Sequence, residues 1–235
     1  MRIEISGITI EINRKAIKNM HLYVKPPDGH VEVSAPLNLP EESIILFIRE
    51  KIEWIKRQKE RFENQPRQSK REYISGETLY VWGRQYFLRV DYGTRNNLIF
   101  SGDRAILTVR QGSDVKQREN YIREWYRKEL KYEIEKCLPV WENRTGLFCN
   151  DWRIKYMTTR WGTCNVEKRR IWINLQLAKK PTECLDYVLL HELAHLKVRN
   201  HGSEFTAILD EFMPFWRETR RKLNASTLDY MSDKI

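Results

Sequence analysis

Two histidines and a glutamate lie close together in the motif His191-Glu192-Leu193-Ala194-His195. In an α-helix, residues four positions apart share one face, so both imidazoles can bind one tetrahedral Zn²⁺. Glu192 follows the first ligand by one residue, where it reaches the metal-bound water without being a ligand and can act as general base. The chain has five histidines, and a chance HExxH motif is expected on the order of 0.01 times in such a sequence. The motif therefore predicts a metal site with one Zn²⁺ per chain.

A third histidine follows shortly after the motif. Catalytic zinc takes three protein ligands and keeps one position open for water, so His201 is the predicted third ligand. The step from His195 to His201 cannot lie along one continuous helix face, and the helix is expected to end in between. Asn200 and Gly202 are the residues expected to supply left-handed conformations at this turn.

Carboxylates nearby offer alternatives for the third ligand. Glu204 and Glu211 both follow within reach of the motif, and carboxylate oxygens are accepted zinc ligands. Asp210 or Glu211 can instead hold the ligating histidines in place from outside the metal shell. Histidine is preferred at the third position because it completes the spacing pattern.

The predicted reaction is hydrolysis. Zinc acidifies its bound water and polarises a carbonyl, while Glu192 takes the proton, and later returns it to the leaving amine. The resulting oxyanion needs a cationic or hydrogen-bonding neighbour. Arg160, Trp161 and Tyr187 are candidates for substrate or transition-state contacts by their proximity in the sequence, and a purely structural role is the alternative for each.

Composition sets the class of protein and its surroundings. The 235 residues are 41% hydrophobic and 31% charged, which is typical of a globular chain. No apolar run reaches the roughly 20 residues that a membrane-spanning helix needs, and the N-terminus lacks the pattern of a signal peptide. No two of the four cysteines form a CxxC pair, which argues against a thiolate zinc site. We therefore expect reduced cysteines, a cytoplasmic location and no membrane partner.

The net charge of +10 leaves a second kind of partner open. A basic surface attracts nucleic acid or nucleotides, but the charges are spread along the chain, so solvated surface charge is the favoured interpretation.

Hydrophobic patterning predicts an α+β fold without sequence repeats. Residues 1–110 are expected to form a β-rich N-terminal region with one helix over 40–64, and residues 111–235 a second domain that carries the HExxH helix. Helices are predicted over 114–145, from Thr182 through His195, and over 203–223 with a break at Pro214. A turn is predicted at 26–29, and a polar loop at 64–70 is a candidate linker.

Several short motifs together resemble the YgjP-like metallopeptidase family, which is related to the SprT-like and WLM zinc proteases. The motifs are Arg160-Trp161-Gly162-Thr163-Cys164, Ile173-Asn174-Leu175-Gln176-Leu177, Pro181, Asp186-Tyr187-Val188, His191 to Leu196 and Asn200-His201. The resemblance is strongest over residues 150–223 and extends more weakly to Arg14, Pro36, Trp54-Ile55, Gly76 and Gly83.

This resemblance implies that residues 111–235 form a compact zincin-like metallopeptidase domain, with an active-site helix and three histidine ligands. It also implies an edge strand near the site that pairs with an extended peptide substrate. The chain departs from the family at Gly202-Ser203-Glu204-Phe205-Thr206, where the family usually has Ser-Pro-x-Phe-Trp. It differs from the metzincin pattern at Val198, where metzincins have glycine.

A zinc-dependent metallopeptidase is thus the predicted function. The alternatives are a metal-dependent nucleotide phosphohydrolase, a nucleic-acid-associated protease recruited through the N-terminal half, and a non-catalytic metal-stabilised binding protein. A phosphohydrolase is disfavoured because the chain has no GxxxxGK[ST] phosphate loop, and a binding protein would leave Glu192 without a role.

Overall fold

The computed structural model describes residues 1–25, 29–63 and 71–225. Within these ranges the chain is α+β, with a β-rich N-terminal half, as predicted. The chain divides into two compact units, one within residues 1–69 and one within 70–226. The predicted domain boundary after residue 110 falls inside the second unit. The predicted loop at 64–70 and most of the predicted turn at 26–29 lie outside the described residues.

The first unit consists of one sheet and two helices. The elements are β1 (Arg2–Ile5), β2 (Ile8–Lys15), β3 (His21–Lys25), β4 (His30–Pro36), α1 (Glu41–Glu50) and α2 (Ile52–Glu63). The strand order is β1-β2-β4-β3, in which β2 and β4 are parallel and the outer pairs are antiparallel. Alternating isoleucines and valines point to one face of this sheet and bury it against isoleucines of the helices.

The predicted single helix over 40–64 is wrong in one respect, because the structure has two helices. The first ends at Lys51, whose N–H donates to the Ile48 carbonyl three residues back, at 3.0 Å. This i to i−3 bond interrupts the i to i−4 pattern, which resumes where the Ile55 N–H donates to the Lys51 carbonyl at 2.9 Å. The apolar spacing continues across the break, which is why the sequence pattern does not reveal it.

The second unit begins with another four-stranded sheet, followed by a long helix. The elements are β5 (Thr78–Val81), β6 (Arg84–Tyr92), β7 (Asn97–Ser101), β8 (Arg104–Val109) and α3 (Val115–Thr145). Asp114 caps the helix, accepting from the Gln117 N–H while the Gln117 side chain accepts from the Asp114 N–H. Gly146 ends the helix in a left-handed conformation, with φ 68°.

The rest of the second unit carries the predicted chemistry. It contains β9 (Asp151–Lys155), β10 (Gly162–Asn165), β11 (Arg170–Asn174), a 3₁₀ segment (Leu175–Lys179), α4 (Thr182–Ala194), α5 (Ser203–Phe212) and α6 (Trp216–Ala225). The three strands form a sheet of order β10-β11-β9, so β10 is an edge strand. Helix α4 packs against this sheet and against α3 in one shared core. The predicted break near Pro214 is present between α5 and α6.

The two four-stranded sheets have the same topology, although the sequence shows no repeat. The second sheet has the order β5-β6-β8-β7, again with a parallel central pair and antiparallel outer pairs. Each begins with a two-residue hairpin turn, Ser6-Gly7 in one and Trp82-Gly83 in the other, and all four residues have positive φ. Positive φ at both positions is the signature of the hairpin turn that matches strand twist.

None of the helices in the described ranges combines the length and apolar character needed to cross a membrane.

Candidate metal centre

The three predicted histidine ligands come from the end of one helix and the connection that follows it. His191 lies in the last turn of α4, and His195 immediately follows the last helical residue. His201 lies two residues before α5 begins at Ser203. The predicted left-handed turn is wrong, since Gly202 has φ −79° and Asn200 is not among the positive-φ residues. Extended backbone at Gly202 leads directly into α5 instead.

The three imidazoles converge on one point. Their candidate ligand atoms all lie within 4.8 Å of one another. The ring centroids are 5.0 Å apart for His191 and His195, 4.9 Å for His191 and His201, and 4.7 Å for His195 and His201. The Nε2 atoms of His191 and His201 are 3.0 Å apart.

A buried aromatic ring supports this cluster from α5. Phe205 is 1% exposed, and its centroid lies 4.9, 4.7 and 4.8 Å from those of His191, His195 and His201. One phenyl ring thus contacts all three imidazoles. Because a packed ring restricts the rotamers of its neighbours, it limits how far the histidines can move apart.

The donor set fits a zinc ion. Nitrogens bound to one tetrahedral zinc at about 2.0–2.1 Å lie roughly 3.3 Å apart, close to the 3.0 Å between the His191 and His201 Nε2 atoms. His195 Nδ1 is 3.1 Å from the Val198 carbonyl. With the Nδ1 proton donated to that carbonyl, Nε2 is left unprotonated for a metal.

Burial also keeps the imidazoles in the form that binds metals. The pKa of His191 is lowered to about 3, chiefly by burial and then by the neighbouring His195 and His201. Burial likewise lowers the pKa of His195. Neutral imidazole is the ligating form, so the site does not need to lose protons from these two side chains at neutral pH.

The Glu192 side chain lies against Gly162, at the start of the edge strand β10. It is 4% exposed, and burial raises its pKa to about 8. A Cβ added to Gly162 would meet Glu192 Oε1 at 2.6 Å and Cδ at 2.9 Å. The carboxylate therefore occupies space that any other residue at position 162 would fill.

The three predicted substrate or transition-state residues lie in different environments. Arg160 is exposed, and its positive charge partly counteracts the raised pKa of Glu192. Trp161 is half-buried, with Lys180 Nζ 5.8 Å from its ring centroid. Tyr187 is 6% exposed, and its hydroxyl lies 3.5 Å from His191 Nδ1. The Tyr187 hydroxyl thus lies near Nδ1 of His191, whereas Nε2 of the same ring faces His201.

An asparagine that sequence reasoning treated only as part of a motif shapes the loop before β10. The Asn174 side chain donates to the carbonyls of Met157, at 2.9 Å, and Arg160, at 2.7 Å. It also accepts from the Gln176 N–H at 3.1 Å. Asn174 is 2% exposed. Its position in the sequence gives no indication of this burial or of its three partners, so its role in holding the loop is visible only in the folded structure.

The rival carboxylate ligands are not part of the cluster. Glu204 and Glu211 are exposed, and the histidine group found among the described residues does not include them. Asp210 accepts from Trp216 Nε1 at 2.8 Å and forms an ion pair with Arg217. Asp210 therefore organises α6 rather than contacting a ligating histidine directly.

Three convergent histidines next in sequence to a buried carboxylate are an arrangement typical of metal-dependent hydrolases. A family model described as "YgjP-like, metallopeptidase domain" matches residues 18–226. The chain belongs to this YgjP-like metallopeptidase family, and the resemblance predicted from its motifs is confirmed. It is accordingly a metallopeptidase, a hydrolase of peptide bonds.

Two solved structures are also similar over part of the chain. The metallopeptidase zymogen of Pyrococcus abyssi abylysin is 22% identical, covering 38% of this chain and 90% of that chain, with a TM-score of 0.36. The metallopeptidase zymogen of Methanocaldococcus jannaschii jannalysin is 22% identical, covering 38% and 92%, with a TM-score of 0.35. Comparison with curated proteins gives no match.

Proposed function

We propose that His191, His195 and His201 hold one Zn²⁺ and that Glu192 is the general base and acid of peptide hydrolysis. The observation that carries this proposal is the convergence of three imidazoles within 4.8 Å, next in sequence to a carboxylate that is 4% exposed. A carboxylate buried to this degree is costly to retain, so a chemical role accounts for it.

Zinc, when bound, supplies Lewis acidity that polarises the scissile carbonyl and makes water more acidic. Glu192 accepts the proton of the attacking water and delivers it to the leaving nitrogen, so its carboxylate ends the cycle as it began. Arg160 remains the candidate for the oxyanion, because its charge already acts on Glu192. Trp161 remains a candidate for substrate contact.

The edge strand β10 is the proposed docking position for the peptide. One side of this strand pairs with β11, and no strand in the described sheet pairs with its other side. An extended peptide added there would run beside Gly162, where Glu192 lies. The substrate backbone and the proposed base would then meet without a side chain between them.

The proposed partner is a peptide or protein. The family assignment favours peptide hydrolysis over nucleotide hydrolysis, and no described contact favours nucleic acid. We also propose the cytoplasm as the compartment, because all four cysteines are unpaired and reduced cysteines are the rule there. As a division of function, we propose that peptidase chemistry belongs to the C-terminal part of the chain.

A glutamate-to-glutamine comparison tests the catalytic assignment. Glu192→Gln is expected to lose peptide cleavage by about 100-fold or more, while zinc content measured by mass spectrometry stays at one per chain. Glu142→Gln is the matched control, because Glu142 Oε1 accepts from the Cys149 N–H at 2.8 Å and an amide oxygen keeps that bond. Full cleavage by Glu192→Gln would overturn the assignment, and cleavage of nucleoside triphosphates would favour the phosphohydrolase.

The metal ligands are tested by alanine substitution. His201→Ala is expected to lower zinc affinity by at least tenfold, whereas Glu204→Ala leaves it unchanged. The reverse result would make the carboxylate the third ligand.

Gly162→Ala tests whether the position of the Glu192 carboxylate matters for catalysis, because it leaves Glu192 itself unchanged. The added Cβ displaces the carboxylate, so we expect kcat to fall at least tenfold while zinc affinity is retained. Gly93→Ala is the control, since its Cβ would meet Thr108 Cγ2 at 2.8 Å on the four-stranded sheet and kcat should not change. Equal losses of kcat in the two variants would contradict the contact role of Gly162.

A further inference from the structure

Tyr187 was predicted to contact the substrate, but its surroundings indicate a different task. It lies four residues before His191 on α4, one helical turn away on the same face. The two ring centroids are 5.7 Å apart, and the phenol oxygen is 3.5 Å from His191 Nδ1. At 6% exposure, the phenol is enclosed by protein. A peptide on the β10 edge would approach Glu192 rather than this side of α4.

The ring of Tyr187 is held in place by α6. Trp216 stacks on it with centroids 6.2 Å apart and planes within 4° of parallel. Trp216 is itself 5% exposed, and its indole N–H donates to Asp210 at 2.8 Å. Arg217 pairs with Asp210 and also lies over the Trp216 ring, with Cζ 4.5 Å from the centroid. The phenol position is therefore fixed from a second helix.

The two histidines of the motif differ in what orients them. His195 Nδ1 faces the backbone carbonyl of Val198 at 3.1 Å. His191 Nδ1 faces the Tyr187 hydroxyl instead. An imidazole that ligates through Nε2 carries its proton on Nδ1 and needs an acceptor there, since that acceptor fixes the tautomer and the ring orientation.

Resting on the proposed zinc centre, we infer that Tyr187 is a positioning residue: its phenol oxygen accepts the Nδ1 proton of His191, so that Nε2 is presented to the metal. Trp216 keeps the phenol ring in this place. The hydroxyl contact is long for a hydrogen bond, and contacts of this kind shorten when the site is assembled with its ligand.

Tyr187→Phe tests the inference because it removes only the oxygen and keeps the stacked ring. We expect zinc affinity, measured by competition with a chromophoric chelator, to fall about tenfold or more. The melting temperature of the zinc-free protein should stay within one degree or so of the wild type, since the buried ring remains. Nitrogen-15 NMR of the zinc-free protein should show His191 protonated on Nδ1 in the wild type and a mixture of tautomers in the variant.

Tyr126→Phe is the matched control. Tyr126 is 3% exposed on α3, and its hydroxyl donates to the Tyr80 carbonyl at 2.7 Å. This variant should lower the melting temperature and leave zinc affinity and the His191 tautomer unchanged. The two variants thus separate loss of a buried hydroxyl from loss of a metal-orienting hydroxyl.

Wild-type zinc affinity in Tyr187→Phe, or a loss of affinity matched by Tyr126→Phe, would overturn the inference. These outcomes are distinct from a failure of the proposed base. Retained cleavage by Glu192→Gln would remove the role of Glu192 and leave the zinc affinities of the two tyrosine variants to decide the role of Tyr187.

Discussion

The two four-stranded sheets share a strand order and a turn type, but they are attached to their surroundings in different ways. The buried cluster of the first sheet is aliphatic throughout: Ile8, Ile10, Ile12, Val31, Val33, Ala35, Ile44, Ile48 and Ile55. The cluster that includes the second sheet also contains the buried aromatics Tyr126, Trp141, Tyr187, Phe205 and Trp216. Aliphatic burial stabilises without direction, whereas Tyr and Trp add a polar tip that needs a partner.

Those polar tips connect different elements of the second unit. Tyr126 of α3 donates to the Tyr80 carbonyl of β5, and Trp141 of α3 donates to Asp186 of α4 at 2.7 Å. The β5–β6 turn adds two backbone bonds, from the Trp82 N–H to the Ala178 carbonyl at 2.9 Å and from the Gly83 N–H to the Lys179 carbonyl at 3.3 Å. The same topology thus forms a sheet with an aliphatic core in one unit, and in the other a sheet that shares a core with α3 and α4.

Equivalent core residues should therefore differ in what they disturb. Ile12 and Leu88 are each the fifth residue after their hairpin turn, each 2% exposed, and they pair with Val33 and Ala105. Alanine at either site should cost about 3 kcal/mol. Hydrogen exchange should show faster opening of α4 only in Leu88→Ala, because only that sheet shares a core with α4. Faster hydrogen exchange of α4 in Ile12→Ala would contradict the claim that only the second sheet supports α4.

The glycines of the two hairpin turns, Gly7 and Gly83, should differ in how much an alanine substitution lowers stability. A Cβ at Gly83 would lie 2.7 Å from Pro181 Cγ at the start of α4, whereas a Cβ at Gly7 meets no described atom within 4 Å. Both have positive φ, so alanine costs about 1 kcal/mol of backbone strain at each. The clash should raise the cost of Gly83→Ala to about 2–4 kcal/mol, measured by urea unfolding. Equal costs would mean that Pro181 yields without penalty.

The smallest expected effects on stability come from replacing two carboxylates, one in each unit, and these effects have opposite signs. The hydrogen bond from Lys25 lowers the pKa of Glu32 in the first unit, and burial raises the pKa of Asp186 in the second. Glu32 therefore stabilises above its unfolded pKa, and this contribution is lost as pH falls through the folded pKa. Asp186 costs stability when charged, and that cost is relieved as pH falls through its raised folded pKa.

At neutral pH, Glu32→Gln should destabilise the first unit and Asp186→Asn should slightly stabilise the second, each by less than about 1 kcal/mol. The amide oxygen introduced by Asp186→Asn can still accept from the Trp141 indole N–H. Both differences should shrink in urea titrations near pH 3. A destabilised Asp186→Asn at neutral pH would show that the charge strengthens the Trp141 bond more than burial opposes it.

The histidine cluster could be predicted from the sequence because its geometry is local. His191 and His195 depend only on helical spacing, and His201 needs only a helix end within six residues. Helix α3 was equally predictable, since its capping box at Asp114 and its C-terminal Gly146 are short-range signals. Local rules were sufficient for these features, but they did not predict the extended backbone at Gly202.

The features that were missed depend on contacts between distant segments. The place of Glu192 against Gly162 requires β10 to pack across α4, and the role of Tyr187 requires Trp216 from α6. The repeated sheet topology was missed because the two copies share strand order and turns rather than a residue pattern. The spacing of residues along the sequence does not indicate which distant segments pack together, so these features could not be predicted from it.

The length of α3 has a consequence for how this protein can be shortened. Its 31 residues span about 46 Å, and along that length Tyr126 reaches β5, Arg127 donates to the Ile154 carbonyl of β9, and Trp141 reaches α4. A fragment starting at residue 111 would lack strands β5 to β8. The apolar residues of α3 that pack against this sheet would then be exposed to water. The smallest self-sufficient peptidase fragment is therefore expected to retain everything from about residue 71 onward, hairpins included.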